Sequence, residues 1–213
     1  MSGLTLALVV LLGAGHIVAR TMGETRLAGM LKALPIALLA AAALRGDGAG
    51  DTSYRMLVGG ALVASMAGDI FLLSPRRFVP GLVSFLVAHL IYIAAFVPAA
   101  NVGAGSLALL VPFAGFAALV LRYLWPHLGR YRAPVCVYVG VITTMGWLAT
   151  LRALGGEVAP EDGLLALGGA FAFMASDTTL AMNRFAHPIR GGQIIIMSTY
   201  YLAQTLLTLS AVG

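Results

Sequence analysis

Long apolar segments alternate along the chain with short polar stretches. Eight of these segments approach the roughly 20 apolar residues that a helix needs to cross a bilayer. Backbone groups inside hydrocarbon must bond within their own segment, so runs of this length predict helices, and the alternating short segments of a β-barrel are absent. The predicted spans are 2–19, 27–44, 56–74, 79–99, 106–124, 134–152, 163–183 and 191–212.

Gly, Pro or charged residues separate nearly all of these spans. The first span lacks the basic start of a signal peptide and is followed directly by further apolar segments, so we interpret it as a retained helix. The sequence therefore predicts one all-α domain over residues 1–213, a polytopic membrane bundle of eight transmembrane helices.

The composition also indicates a membrane protein. Of the 213 residues, 60% are hydrophobic and only 10% are charged, whereas a soluble globular domain carries about 25% charged residues. The net charge of +5 does not indicate nucleic-acid binding, because the basic residues are scattered singly between apolar runs. The lone Cys136 excludes an internal disulfide and a cysteine-based zinc site. We expect membrane lipid as a partner and no nucleic acid.

The loop arginines predict the orientation of the bundle. Nine lie on one side of the eight predicted spans, and the other side holds only Arg45, Arg55 and Arg152, together with acids such as Asp47. Cytoplasmic loops are enriched in basic residues, so the side with nine should face the cytoplasm and both termini should face outside. In a bacterium this membrane would be the plasma (inner) membrane. The nine are Arg20, Arg26, Arg76, Arg77, Arg122, Arg130, Arg132, Arg184 and Arg190.

Four ionisable residues well inside the predicted spans stand out: Lys32, Asp69, His89 and Asp177. A charged group at the bilayer centre costs about 2.5–3.5 kcal/mol on insertion scales, so each of them needs a reason. At 1.5 Å per residue, the lysine and both aspartates lie roughly 7–10 Å below the cytoplasmic boundary, and His89 lies near mid-depth. Three charged groups at one depth on three helices predict a shared polar pocket open to the cytoplasmic leaflet.

The two aspartates also share a local sequence. Met66–Leu72 aligns with Met174–Leu180 at an offset of 108 residues, and each aspartate follows a ridge of small residues that lets helices approach closely in lipid. The alignment predicts a parallel four-plus-four repeat, in which the binding site lies between the halves. The alternative is a chance match, because short stretches of an Ala- and Gly-rich chain readily align.

Two further spans present polar faces. In the fourth span, Phe85, His89 and Tyr92 share one helical face, and in the eighth Tyr200 and Gln204 share another. Tyr200 is too deep for an interfacial anchor. His89 is either a site residue or a buried histidine bonded to a backbone carbonyl.

At these residues the sequence resembles the YhhN-like lysoplasmalogenase family of polytopic membrane proteins. The resemblance follows the whole chain in order. It implies hydrolysis of the vinyl-ether bond of a lysophospholipid, a lysoplasmalogen, to a fatty aldehyde and glycerophosphoethanolamine or glycerophosphocholine. The matching pieces are Lys32 with Pro35, Gly68-Asp69 with Leu72, the run from Phe78 through Gly81, Phe85 and His89 to Tyr92, Ser176-Asp177 with Leu180-Ala181, and Tyr200-Tyr201 with Ala203-Gln204.

Acid–base chemistry by paired carboxylates fits the implied reaction. Protonating the distal vinyl carbon creates an oxocarbenium-like cation, a problem that glycosidases also solve with two carboxyl groups. Like charges close together in low dielectric cannot both ionise cheaply, so we predict Asp69 and Asp177 as the catalytic pair, with one of them protonated. Which one is the acid is left open. The reaction needs no metal and no cofactor.

The remaining polar residues are predicted to bind substrate. Arg recognises phosphate in a bidentate manner, and Lys32 either binds phosphate or pairs with one aspartate. Two other classes of protein share this pattern. A proton-coupled or small-molecule transporter also carries intramembrane charges, although both aspartates lie off the midplane and no helix shows a double Gly/Pro break. A scaffold would use the Asp–Lys contact structurally. The predicted substrate-binding residues are Lys32, His89, Tyr92, Asn183, Arg184, Arg190, Tyr200 and Gln204.

Overall fold

The computed structural model describes residues 1–45, 51–103 and 105–213. Within these ranges 87% of the residues are helical and there is no strand. Asp47 and most of the predicted junction 46–51 lie outside the described residues. The α-helices are α1 Gly3–Thr21, α2 Thr25–Lys32, α3 Leu34–Arg45, α4 Thr52–Phe71, α5 Phe78–Phe96, α6 Ser106–Leu124, α7 Arg132–Leu154, α8 Pro160–Ala181 and α9 Gly192–Val212.

Short 3₁₀-helical or π-helical segments extend several of these helices. Three-residue 3₁₀ turns at Pro75–Arg77, Val97–Ala99, Trp125–His127 and Gly129–Tyr131 adjoin α5, α6 and α7. A π-helical turn, Met182–Ala186, continues α8. π-turns are rare and occur frequently at functional sites.

The predicted span 27–44 is two helices, which corrects the expectation of one continuous span. α2 ends at Lys32, and α3 begins at Leu34. Pro35 explains the break, because it has no N–H to donate and its ring collides with the carbonyl four residues earlier, that of Leu31. The break leaves the last carbonyls of α2 without helical partners, and the Tyr201 hydroxyl donates to one of them, the Lys32 carbonyl oxygen, at 2.9 Å.

Among the described residues, seven helical segments are long and apolar enough to cross a membrane. The remaining predicted span coincides with α4, which has 20 residues but carries Arg55 near its start and Asp69 near its end. Seven of the eight predicted spans therefore meet the requirements of a membrane crossing, and the chain is a multi-pass integral membrane protein. The seven are Gly3–Thr21, Thr25–Arg45, Pro75–Ala99, Ser106–His127, Gly129–Leu154, Pro160–Ala186 and Gly192–Val212.

Two helix hairpins form the centre of the bundle. α4 packs along α5, and α8 packs along α9; these are the two most extensive helix contacts of the described chain. α9 also contacts α1, α3 and α4, so it joins the second hairpin to the first part of the chain. Small residues allow this approach: a Cβ on Gly169 would lie 2.7 Å from Cγ of Leu207. The two hairpins carry both aspartates near the C-terminal ends of α4 and α8.

Candidate active site

A cavity of about 500 Å³ lies where the two central hairpins meet α1 and α2. Its walls come from both halves of the chain, and both aspartates and the lysine line it. The polar residues of its wall are His16, Arg20, Thr25, Lys32, Asp69, Ser74, Ser176, Asp177, Asn183, Arg184, Gln193 and Tyr200.

Asp69 is held by two donors. Its Oδ1 lies 3.2 Å from Lys32 Nζ, and its Oδ2 accepts a 2.7 Å hydrogen bond from the Tyr200 hydroxyl. The aspartate side chain is 2% exposed and the lysine side chain 13%. A buried charge is tolerated only when it is paired and hydrogen-bonded. This carboxyl group therefore sits in a site built for its ionised form.

Asp177 has different neighbours. Its Oδ2 accepts a 2.5 Å hydrogen bond from the Tyr138 hydroxyl and lies 3.6 Å from Nε2 of His89. The other ring nitrogen, Nδ1, lies 2.6 Å from the Phe85 carbonyl oxygen and donates its proton there, since a carbonyl can only accept. In the described part of the chain, no Lys or Arg forms an ion pair with Asp177.

Phe85 lines the cavity together with both aspartates. Its ring makes an edge contact with Tyr200, the partner of Asp69, and another with Phe173. Gly68 allows this position, because a Cβ there would lie 2.7 Å from the Phe85 ring. The two aspartates therefore line one cavity but have different immediate partners, Lys32 and Tyr200 for Asp69 and Tyr138 and His89 for Asp177.

Basic residues line the same cavity on its α1 and π-turn sides. Arg20 and Arg184 are exposed side chains on its wall, and the Arg184 guanidinium lies 4.7 Å from the centre of the Phe78 ring. Asn183 also lines the cavity, but its Oδ1 accepts a 2.8 Å hydrogen bond from the Ile189 backbone N–H. Asn183 thus fixes the loop after the π-turn, while the two arginines are available to an anionic group.

Not all of the predicted site residues line this cavity. The Tyr92 hydroxyl donates to Gln204 Oε1 at 2.6 Å, and both side chains are fully buried away from it. His89 reaches the site only through Asp177, and Arg190 is exposed outside the wall. The structure adds Tyr138, His16 and Ser176 to the predicted set. Of these, Ser176 donates to the Ile196 carbonyl at 3.1 Å.

His16 shows how α1 is tied to the site. Its Nδ1 donates to the Ala28 carbonyl at 2.8 Å, which joins α1 to α2 next to Lys32. Within the described ranges, no three His, Cys, Asp or Glu side chains lie close enough together to hold a metal ion.

The fold and the cavity define a multi-pass membrane protein with a polar intramembrane site built from two acids and one base. The chain belongs to the YhhN family, whose family model matches residues 27–211. It is 37% identical over 185 residues to human lysoplasmalogenase TMEM86B, covering 86% of this chain and 75% of that protein.

Two other relatives show how widely this similarity extends. Human lysoplasmalogenase TMEM86A is 40% identical over 168 residues, which is 76% of this chain and 66% of that protein. A lysoplasmalogenase from Mycobacterium tuberculosis is 34% identical over 194 residues, covering 87% and 70% respectively. No solved structure matches this chain significantly.

Proposed function

We propose that this chain is a lysoplasmalogenase, a hydrolase that adds water across the vinyl-ether bond of a lysoplasmalogen. The products are a fatty aldehyde and glycerophosphoethanolamine or glycerophosphocholine. Family membership and the names of the relatives support the reaction. The observation that carries the proposal is that two carboxyl groups, one paired with Lys32 and one facing His89, line a single cavity in the membrane.

Asp177 is the proposed general acid. With the Nδ1 proton of His89 committed to the Phe85 carbonyl, the Nε2 lone pair of a neutral ring faces an oxygen of Asp177. Two acceptors that face each other need a proton between them. The pair therefore holds one proton next to the cavity, and Asp177, which lines the wall, delivers it.

Asp69 is the proposed anionic partner. Lys32 and Tyr200 both direct donors at its carboxylate and keep it charged. A fixed negative charge aimed at a developing cation stabilises the transition state without reorganisation of solvent. Its carboxylate also accepts the proton of the attacking water.

The steps balance without any further reactant. Asp177 protonates the vinyl carbon distal to oxygen, and the carbon bonded to oxygen becomes an oxocarbenium-like centre. Water adds to that carbon and loses a proton to Asp69, giving a hemiacetal. In the collapse, the hemiacetal hydroxyl gives its proton to Asp177, and Asp69 gives the proton that it took from water to the departing glycerol oxygen. The aldehyde and the free glycerol hydroxyl leave, and both carboxyl groups return to their starting protonation states.

The glycerophospho group is placed in the polar cavity. Arg20 and Arg184 line its wall and supply charge for the phosphate, because a guanidinium forks onto two phosphate oxygens. Arg190 lies outside the wall and is proposed to attract the head group from solution. Tyr92 and Gln204 are proposed to support α5 against α9 through their mutual bond.

The whole chain is proposed to be one domain of eight transmembrane helices in two equivalent halves. α4 supplies the eighth span. In each half the first helix packs on the second, and the third packs most extensively on the fourth, which supports the repeat. With both termini outside, the cavity opens toward the cytoplasmic leaflet.

The direct test uses the purified chain in nanodiscs with a lysoplasmalogen, assayed for free aldehyde. Asp69→Asn and Asp177→Asn should each lower kcat by at least about 100-fold, since a positioned acid or base contributes 10²–10⁴-fold. Asp162→Asn is the matched control, because Asp162 lies at the opposite end of α8 from Asp177. An ordinary acyl lysophospholipid should not be cleaved.

The outcomes separate the alternatives. Aldehyde release by the wild type that is lost in both site variants and kept in Asp162→Asn supports the proposal. No aldehyde from a folded wild type would overturn it and leave the carrier alternative. Near-normal turnover in both site variants would overturn the catalytic pair.

A further inference from the structure

A second, narrow cavity of about 50 Å³ adjoins the polar one at Asp177. Apart from Tyr138, Asp177, Thr178 and Arg184, its wall is entirely apolar. The apolar residues are Leu72, Phe78, Leu82, Phe85, Phe116, Val120, Val135, Val139, Ile142, Leu180, Ala181 and Phe185.

The two cavities share part of their wall. Six residues line both of them, and Asp177 is the only carboxylate among the six. On one side of Asp177 the wall carries Lys32, Asp69 and Arg20, and on the other it is mostly hydrocarbon. The acid therefore lies where the environment changes from polar to apolar. The shared residues are Leu72, Phe78, Phe85, Asp177, Leu180 and Arg184.

The apolar cavity follows a crevice between α5 and α6. Both helices pack on α7, but they make hardly any contact with each other. Phe78 and Leu82 on α5 and Phe116 on α6 are only half-buried, so the crevice reaches the lipid-facing surface. The crevice also follows the boundary between two clusters of buried apolar residues. Val120, Val135 and Val139 belong to one cluster, and Phe85 and Ile142 belong to the other.

We propose that the alkenyl chain of the substrate lies in this crevice between α5 and α6. This inference rests on the proposed function. A lysoplasmalogen is polar on one side of its vinyl ether and a long hydrocarbon on the other, and the two adjoining cavities have the same division. Placing the chain in the crevice and the glycerophospho group beside Arg20 and Arg184 brings the vinyl ether to Asp177.

The placement also explains how water and hydrocarbon are kept apart. Water reaches the reacting carbon from the polar cavity, whose wall carries Asp69, the proposed acceptor of its proton. The alkenyl chain enters sideways from the bilayer, so the substrate need not leave the membrane. Phe85 lines both cavities, so its ring adjoins the proposed position of the reacting bond.

Narrowing the crevice tests the placement. Val120 is buried on its wall, and Val120→Phe should raise KM for a long-chain lysoplasmalogen by about tenfold, the effect of misfitting a small apolar group in a pocket. In the same variant, KM for a short-chain vinyl-ether analogue with the same head group should change less than about twofold, because a short chain fills less of the crevice. Val83→Phe is the control, because Val83 lies one residue from Leu82 but is exposed on the outer face of α5. Equal effects on both substrates, or equal effects of the two variants, would overturn the placement.

A binding experiment remains informative if Val120→Phe does not fold. A saturated alkyl-ether lysophospholipid carries no vinyl bond, and with a diazirine in mid-chain it can be crosslinked to the wild type in nanodiscs. Adducts on α6 and α7 that an unlabelled lysoplasmalogen suppresses support the placement. Suppressible adducts on α1 or α2 overturn it. Because this readout needs no hydrolysis, it separates a failed chain site from a failed enzymatic function, which is tested by aldehyde release.

Discussion

His89 Nε2 lies 3.6 Å from Oδ2 of Asp177 while the opposite nitrogen of the same ring is held by the Phe85 carbonyl. Phe85 and His89 are four residues apart on α5, so the helix itself fixes the orientation of the ring. The fixed ring presents one nitrogen to a carboxyl group on a different helix, α8. It is through this contact that we propose His89 acts on Asp177, although the histidine lines neither cavity.

Replacing His89 by Phe should lower kcat with little change in KM. The ring volume is kept and both nitrogens are lost, so Asp177 loses the group with which it shares a proton. We expect a loss of about 100-fold, the lower end of the range for proton-transfer groups. The measurement is aldehyde release at saturating lysoplasmalogen. His16→Phe is the comparison, because His16 also donates Nδ1 to a backbone carbonyl but contacts no carboxylate. Equal losses of kcat in the two variants would argue against a role specific to His89.

Substitutions at Lys32 and Asp69 should have strongly non-additive effects on the free energy of unfolding. Lys32→Met leaves a carboxylate that is 2% exposed without its cation, and breaking a buried pair in this way costs about 3–5 kcal/mol. The double variant Lys32→Met/Asp69→Asn removes both charges and should recover most of that loss. Unfolding in detergent measures the coupling, and activity should stay lost in all variants. Additive effects of the two substitutions on stability would show that the ion pair contributes nothing beyond its separate residues.

The depth of a residue in the membrane, counted along its predicted helix, was the most informative property of the sequence. Counting residues from the ends of the apolar runs placed Lys32, Asp69 and Asp177 at one level, and the structure brings all three to one cavity. The rotation of each helix about its axis was harder to predict. α7 is apolar over most of its surface, so no polar face showed that Tyr138 points at Asp177.

Shared helical faces predicted less than shared depth. Phe85 and Tyr92 lie on one face of α5, yet only Phe85 reaches the cavity, because Tyr92 lies two turns further along the helix and bonds to Gln204. Pro35 marks the break between α2 and α3, although we predicted one continuous span over 27–44. The partner of the freed Lys32 carbonyl could not be predicted either, because the Tyr201 hydroxyl that donates to it comes from α9, 169 positions away.

The topology can be tested by labelling single cysteines in a Cys136→Ala background. Thr21, Arg76 and Glu157 are exposed at three separate junctions and are each replaced by Cys in turn. An impermeant maleimide on intact cells should label only the cysteine at position 157, because the loops with most arginines face the cytoplasm. Permeabilised cells should label all three.

The same cysteines test whether α4 crosses the membrane. Between positions 21 and 76 the chain passes through the Thr25–Arg45 segment and α4. If both cross, these two positions lie on the same side. Labelling of one without the other in intact cells would show that α4 does not span, and the eight-span arrangement would be wrong.

Gly68 should be far less tolerant of a methyl group than Gly60 on the same helix. A Cβ at Gly68 would lie 2.7 Å from the Phe85 ring, whereas one at Gly60 would come no closer than 4.0 Å to Ile91. Gly68→Ala must therefore push Phe85 toward Tyr200 and Phe173, and overpacking of this kind costs about 1–3 kcal/mol. Gly60→Ala should be neutral or slightly stabilising, because Ala favours helix. Thermal unfolding and kcat measured on both variants check this, since Phe85 lines both cavities and its displacement should also slow turnover. Equal stability and equal turnover of the two variants would show that the close approach of Gly68 to the Phe85 ring matters neither for folding nor for catalysis.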